Sequence, residues 1–176
     1  MSIAIGADAP TFNLPGVDGA NRTLDDYADA AVLVLIQSCN HCPYVQAWEG
    51  RMKSIQADYG ERGARLVAIS SNDAEAYPED SFDSMKQRAR EQEFNFDYLY
   101  DESQEIARGL GAERTPEVFV FGRDRRLVYH GAIDDSRDAD VVKRHYLREA
   151  IEAALRGIDP PEAETPPVGC TVKYRK

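Results

Sequence analysis

Six consecutive apolar residues, Ala31-Val32-Leu33-Val34-Leu35-Ile36, run almost directly into Cys39-Asn40-His41-Cys42-Pro43. An unbroken and partly β-branched run reads as a strand buried on both faces, as in a parallel or mixed sheet with helices on either side. Just beyond the cysteines, Val45, Trp48, Met52, Ile55 and Tyr59 recur at steps of three and four, which gives a helix one apolar side. Gly60 and Gly63 stop that helix. The cysteine pair therefore falls where a buried strand hands over to a helix N-terminus.

The remaining elements follow from the same patterns. Leu66 to Ser70 is a second buried strand, and Pro78 to Glu93 reads as a polar helix with Phe82, Met85 and Ala89 inward. Phe96 to Tyr100 reads as a strand, and Asp101 with Gln104 resembles a capping box for a short helix over Glu102 to Arg108, broken by Gly109 and Gly111. Val118 to Phe121 and Leu127 to His130 flank a Gly-containing turn and predict an antiparallel hairpin. A last helix is expected over Ala139 to Arg156, with Val142, Leu147, Ile151 and Ala154 inward and Gly157 as its stop. An N-terminal β-hairpin turns at Asp18-Gly19, between Phe12-Asn13-Leu14 and Arg22-Thr23-Leu24. Together these predict an α/β fold, a central mixed β-sheet flanked by helices with an inserted helix and strand.

A chain of 176 residues with 43% hydrophobic content suits one core. We place a single domain over residues 1–157 and a Pro-rich C-terminal tail of low packing potential over 158–176, carrying Cys170. Acidic residues outnumber basic ones 31 to 21, so nucleic acid and anionic membrane surfaces would be repelled. Met1 to Pro10 lacks a basic start followed by an apolar run, and no stretch approaches the ~20 apolar residues of a membrane span. The expectation is a soluble, cytoplasmic protein. The basic cluster Arg123-Asp124-Arg125-Arg126 reads as a solvated hairpin turn.

Three cysteines without an export signal do not suggest a disulfide framework. At a helix N-terminus, unpaired backbone N–H groups and the helix dipole stabilise negative charge, which predicts Cys39 as a solvent-open thiolate. Cys42, one turn along, then closes a disulfide. Pro43 fits the first helical turn because its missing N–H has no partner there. His41, when protonated, would lower the Cys39 pKa further. Zinc uses the same Cys spacing but needs two more ligands, and His41, His130, His145 and Cys170 are single and scattered. We therefore expect no metal and no cofactor. Thr115-Pro116, entering the strand at Val118, is the other informative dipeptide: an X-Pro bond is held cis at a cost of only ~0.5–1 kcal/mol, and such a loop can present backbone groups to a bound chain. From the dipeptide alone an ordinary trans proline remains open. His130 and His145 carry no assigned role, and Trp48 reads as core.

The segments Cys39-Asn40-His41-Cys42-Pro43-Tyr44-Val45, Tyr77-Pro78-Glu79-Asp80-Ser81, Tyr98-Leu99-Tyr100-Asp101-Glu102-Ser103-Gln104, Thr115-Pro116-Glu117, Tyr129-His130-Gly131-Ala132-Ile133-Asp134-Asp135 and Gly169-Cys170-Thr171-Val172-Lys173 resemble the peroxiredoxin-like branch of the thioredoxin superfamily, the grouping of alkyl hydroperoxide reductases and thiol-specific antioxidants. The resemblance implies a thioredoxin-like fold, Cys39 as nucleophile, Cys42 as its partner and Pro116 as a cis proline facing them. Two departures stand out. Peroxidatic members carry Pro and Thr or Ser seven and three residues before the reactive Cys, where this chain has Val32 and Ile36; and Arg114 stands where relatives often place a Cys. Arg114 is either a solvated loop residue or a positive charge near the pair.

Three functions stay open at this point. The leading one is a thiol-disulfide oxidoreductase working through Cys39 and Cys42, with Thr115 and Pro116 beside them. Its expected partners are a protein or small-molecule disulfide and a thiol electron donor such as a thioredoxin or glutathione. The second is a thiol peroxidase in which Cys39 becomes a sulfenic acid and Cys42 or Cys170 condenses with it. The third is a redox-sensing or metal-carrying module. Cys170 is a candidate resolving thiol, although a peripheral thiol in a loosely held tail is the plainer reading.

Overall fold

The computed structural model describes residues 2–176. Its centre is the apolar run: β3 (Val32–Ser38) is buried along its whole length. β3 pairs in parallel with β4 (Ala64–Ser70), and β4 in parallel with β5 (Asp97–Tyr100). On its other side β3 pairs antiparallel with β7 (Glu117–Phe121), and β7 with β8 (Leu127–Gly131). The order β5-β4-β3-β7-β8 makes a five-stranded mixed sheet.

Alternation along β3 divides the core in two, because successive side chains of a strand point to opposite faces. Val32, Val34 and Ile36 pack with Trp48, Met52 and Ile55 of α1 (Pro43–Tyr59) and with Leu147 and Ile151 of α4 (Tyr146–Leu155). Met85 of α2 (Phe82–Glu91) joins the same layer. Leu33 and Leu35 face the other way, against Ile106 and Leu110 of α3 (Glu105–Leu110) and Phe119 and Phe121 of β7. That second face is also covered by the expected N-terminal hairpin of β1 (Asn13–Pro15) and β2 (Asn21–Thr23), through Leu14. A helix-covered sheet of this order is a thioredoxin-like fold, as the sequence predicts.

Three helical boundaries differ from expectation. The predicted helix over 78–93 is a 3-10 turn, Pro78–Asp80, followed by α2, because the Ser81 hydroxyl accepts the Ser84 N–H at 3.2 Å and starts the helix there. α3 begins at Glu105, with no capping box at Asp101. Gln104 is the N-cap at φ 68°, and the Asp101 carboxylate takes the N–H groups of Ile106 and Ala107 at 3.3 and 3.0 Å. The last helix is cut to α4 behind a 3-10 turn, Ala139–Val141. The Asp135 carboxylate draws the Lys143 N–H to 2.9 Å and the Arg144 carbonyl accepts the Asp135 N–H at 3.1 Å, so these residues belong to the preceding loop and Val142 is only half-buried.

Two expectations about surface segments are also corrected. Arg123, Asp124 and Arg126 are exposed as expected, but Arg125 turns inward at φ 61° and donates to the carbonyls of Gly122, Tyr27 and Ala30, which clamps the β2–β3 connection. The C-terminal tail is tied to the domain at several points, with Thr165 and Val172 buried. It runs beside β8, where the Thr165 N–H donates to the His130 carbonyl and the Ala132 N–H to Thr165 Oγ1. β9 (Cys170–Thr171) then pairs antiparallel with β6 (Arg114–Thr115), and Val172 is buried in the second core layer. Beyond it Lys173 is latched by Asn72 Oδ1, which accepts its N–H at 2.8 Å. Among the described residues no helix is long and apolar enough to cross a membrane.

Candidate active site

Sheet register assembles the site. β3 ends at Ser38 and delivers Cys39; β7 runs antiparallel beside it with Gln37 opposite Glu117, which brings Thr115 and Pro116 alongside the cysteines. The Thr115-Pro116 bond is cis and both residues are buried. Thr115 contacts both sulfurs: the Cys39 thiol donates to its hydroxyl at 3.7 Å and the Cys42 thiol to its carbonyl at 3.5 Å. Cys42 is the N-cap of α1 and Pro43 occupies the first turn, as predicted.

The two sulfurs differ in their surroundings. Cys39 has its thiol pKa pushed up, chiefly by the neighbouring Cys42, then by burial and by the Asp80 carboxylate. Cys42 is held down to about 4, first by the neighbouring Cys39 and further by Cys170, the Val45 N–H and the Thr115 hydroxyl, against the opposing effect of burial. Only the N-cap position collects these donors, and the Val45 N–H acts on the sulfur as a dipole without completing a cap hydrogen bond. When Cys42 ionises it gives up its bond to the Thr115 carbonyl. In this arrangement Cys42 is the sulfur favoured as thiolate.

One expectation about the pair, its access, is corrected. The predicted chemistry has one sulfur open to solvent, yet Cys39 is 1% exposed and Cys42 fully buried. Tyr44 and Cys170 close over them. β9 lies so near the Thr-Pro loop that a Cβ on Gly169 would overlap the Thr115 carbonyl oxygen. All three cysteines are free, and Cys170 alone is partly exposed. The tail that reads as peripheral in the sequence is the roof of the site.

His41 is half-buried, with a ring nitrogen within 4.8 Å of the Cys39 sulfur and carboxylates at Nδ1. Its Nδ1 lies 2.5 Å from Asp80 Oδ2, at ion-pair distance but off the line of a hydrogen bond. Asp80 is the residue that sequence reasoning missed. Fully buried, it accepts the Asn40 N–H at 2.8 Å through Oδ1 and the Asn72 amide at 2.9 Å through Oδ2, so it fixes the Cys39–Cys42 loop and, through Asn72, the tail latch. It is 40 residues from Asn40 in the chain, and no local pattern marks it. Glu117 was missed likewise. Its buried carboxylate accepts the N–H groups of Glu113 and Arg114 at 3.0 and 2.9 Å and pairs with His130 Nε2 at 2.7 Å, shaping the loop that carries Thr115. The Arg114 side chain is exposed. Cys39, His41 and Asp80 offer three metal-ligating atoms within 4.8 Å of one another, but both Asp80 oxygens already serve as structural acceptors.

Comparison with known proteins gives three kinds of result. The sequence profile described as the AhpC/TSA family matches residues 5–130. No curated protein matches the chain. Among solved structures, a hypothetical protein of Sinorhizobium meliloti 1021 is 36% identical, with TM-score 0.93 over 99% of this chain and 97% of that one. An uncharacterized conserved protein of Geobacillus kaustophilus is 40% identical, with TM-score 0.92 over 98% and 93%. The peroxidoxin BcpB of Mycobacterium tuberculosis shares the fold at 21% identity, with TM-score 0.68 over 90% and 98%.

Proposed function

The chain belongs to the AhpC/TSA family, and we propose that it is a thiol-disulfide oxidoreductase whose redox couple is Cys39 and Cys42. The observation that carries this reading is the contact of two free thiols at the N-terminus of α1, one favoured as thiolate and the other held protonated beside it, with the buried Thr115 touching both. Exchange needs an ionised sulfur to attack a disulfide and a neighbouring thiol to release the mixed disulfide. In this reading Cys42 attacks, Cys39 resolves, Thr115 and Pro116 hold the sulfurs in register, and His41 with Asp80 fixes the intervening loop. The partners are a disulfide substrate and a thiol electron donor.

The test is reduction of insulin and of a glutathione mixed disulfide by the wild type, Cys39→Ser, Cys42→Ser and the double variant. Loss of turnover in the single variants, and a disulfide that accumulates on Cys42 in Cys39→Ser, with substrate or with Cys170, supports the reading. Undiminished turnover in the double variant refutes it.

One observation favours peroxidase activity as a second reading. Ile36 offers no hydroxyl to a peroxide, but the Thr115 hydroxyl stands 3.7 Å from the Cys39 sulfur. Stopped-flow oxidation by hydrogen peroxide decides it: a rate constant no larger than that of a free thiol removes this reading.

A further inference from the structure

The buried pair poses a problem of access, and the tail supplies the answer. Cys170 is the direct cross-strand partner of Thr115 in the β6–β9 ladder, the residue whose carbonyl and hydroxyl meet Cys42 and Cys39. It packs against the cluster of Cys39, Cys42 and Val45, and it keeps partial exposure while they are sealed. Three thiols are thus stacked from solvent inward.

We propose that Cys170 is the entry thiol of a three-cysteine relay, passing electrons between an external, carboxylate-bearing low-molecular-weight disulfide and the buried Cys42 and Cys39. This rests on the exchange reading above and deepens it. In the first step the Cys170 thiolate attacks one sulfur of the external disulfide. The Cys170 mixed disulfide forms, the external S–S bond breaks, and the leaving thiolate takes up the proton that Cys170 lost. In the second, the Cys42 thiolate attacks the Cys170 sulfur. The Cys42–Cys170 disulfide forms and the second external thiolate leaves, to be protonated by water. In the third, Cys39 attacks Cys42 as its proton passes to the departing Cys170 sulfur, leaving a Cys39–Cys42 disulfide and a free Cys170. One external disulfide is reduced to two thiols, the pair is oxidised by two electrons, and two external thiols run the steps in reverse.

Two features support this order. Cys42 sits with Cys39 in the buried cluster against which Cys170 packs, and its thiol meets the carbonyl of Thr115, the residue that Cys170 faces across the ladder, which makes it the middle sulfur. The surroundings of Cys170 are cationic although the chain carries a net charge of -10. Lys173, three residues on, reaches Thr171 Oγ1 at 2.9 Å and lies over Tyr77, while Arg137 lies over Tyr44, which like Cys170 packs against the Cys39–Cys42–Val45 cluster. Among the described residues neither cation is in an ion pair, so both are available to a carboxylate on the substrate.

The experiment is rapid acid quench and disulfide mapping of reduced protein mixed with oxidised glutathione. Cys170→Ser and Cys170→Ala are each expected to slow Cys39–Cys42 disulfide formation by at least about tenfold, since the accessible attacking thiol is lost. Cys39→Ser is expected to trap the Cys42–Cys170 disulfide. Lys173→Gln is expected to slow oxidation by glutathione disulfide about two- to fivefold, the scale of one surface charge, and to leave oxidation by the cationic disulfide cystamine unslowed. Wild-type rates in both Cys170 variants would overturn the relay while leaving the exchange reading intact. Equal slowing with both disulfides would overturn the choice of an anionic substrate. Failure of the wild type to form a Cys39–Cys42 disulfide with any oxidant would refute the exchange reading itself, and the relay with it.

Discussion

Thr115 and Cys170 face one another across the two-residue ladder of β6 and β9, and Thr115 is at the same time the protein contact of both sulfurs in the Cys39–Cys42 pair. One buried residue thereby sets the spacing of three thiols.

Replacing that residue by an isostere tests its electrostatic part. Thr115→Val keeps the shape and the main-chain carbonyl but removes the hydroxyl that helps to hold the Cys42 pKa at about 4. The thiolate absorbance of the reduced protein should titrate about one pH unit higher, equivalent to ~1.4 kcal/mol and at the low end for a hydrogen bond to a charged group. An unchanged titration would show that Thr115 only packs.

The depressed Cys42 pKa also predicts a pH dependence of stability in the reduced protein. Between about 4 and the unfolded thiol value near ~8.5, the unfolded chain binds a proton that the folded one does not, so stability rises with pH across that window. The contribution is complete above the unfolded value and is lost as pH falls through the folded one. Cys39, shifted upward, opposes this only above the unfolded value, where the unfolded thiol ionises and the folded one does not. The difference in urea midpoint between the wild type and Cys42→Ser should therefore grow from pH 4 towards pH 8, and a flat difference would count against ionised Cys42.

Asp80 raises the Cys39 pKa and braces the loop through Asn40 and Asn72. Asp80→Asn removes the charge while keeping one acceptor, so Cys39 should ionise at lower pH and stability should fall by ~1–3 kcal/mol, the cost of an imperfectly satisfied buried group. Thiol titration and urea denaturation check the two halves separately.

Gly169 has no room for a side chain against the Thr115 carbonyl. Gly169→Ala should lift β9 and speed alkylation of Cys42 by iodoacetamide at least about tenfold, because a buried thiol is inert until uncovered. Peptide mapping of the alkylated protein would show it; an unaltered rate would mean that access is gained elsewhere.

The sheet and the position of the cysteines were legible because they rest on local patterns: the Val32–Ile36 run, the helical spacing of Val45 to Tyr59, and Pro43 in a first turn. Helix starts were harder to read. Ser81 and Gln104 were chosen over Pro78 and Glu102 by single side-chain contacts. What stayed hidden was long-range. Asp80 and Glu117 act on backbone groups that only the folded sheet brings near, and the tail's composition conceals the β-ladder that places Cys170.

The most direct test of the account equilibrates reduced protein with glutathione buffers of graded thiol-to-disulfide ratio and maps the resulting disulfides by mass spectrometry. The account predicts a two-electron couple that ends in a Cys39–Cys42 bond with Cys170 free. Cys39 and Cys42 both still reduced at the most oxidising ratio would contradict it.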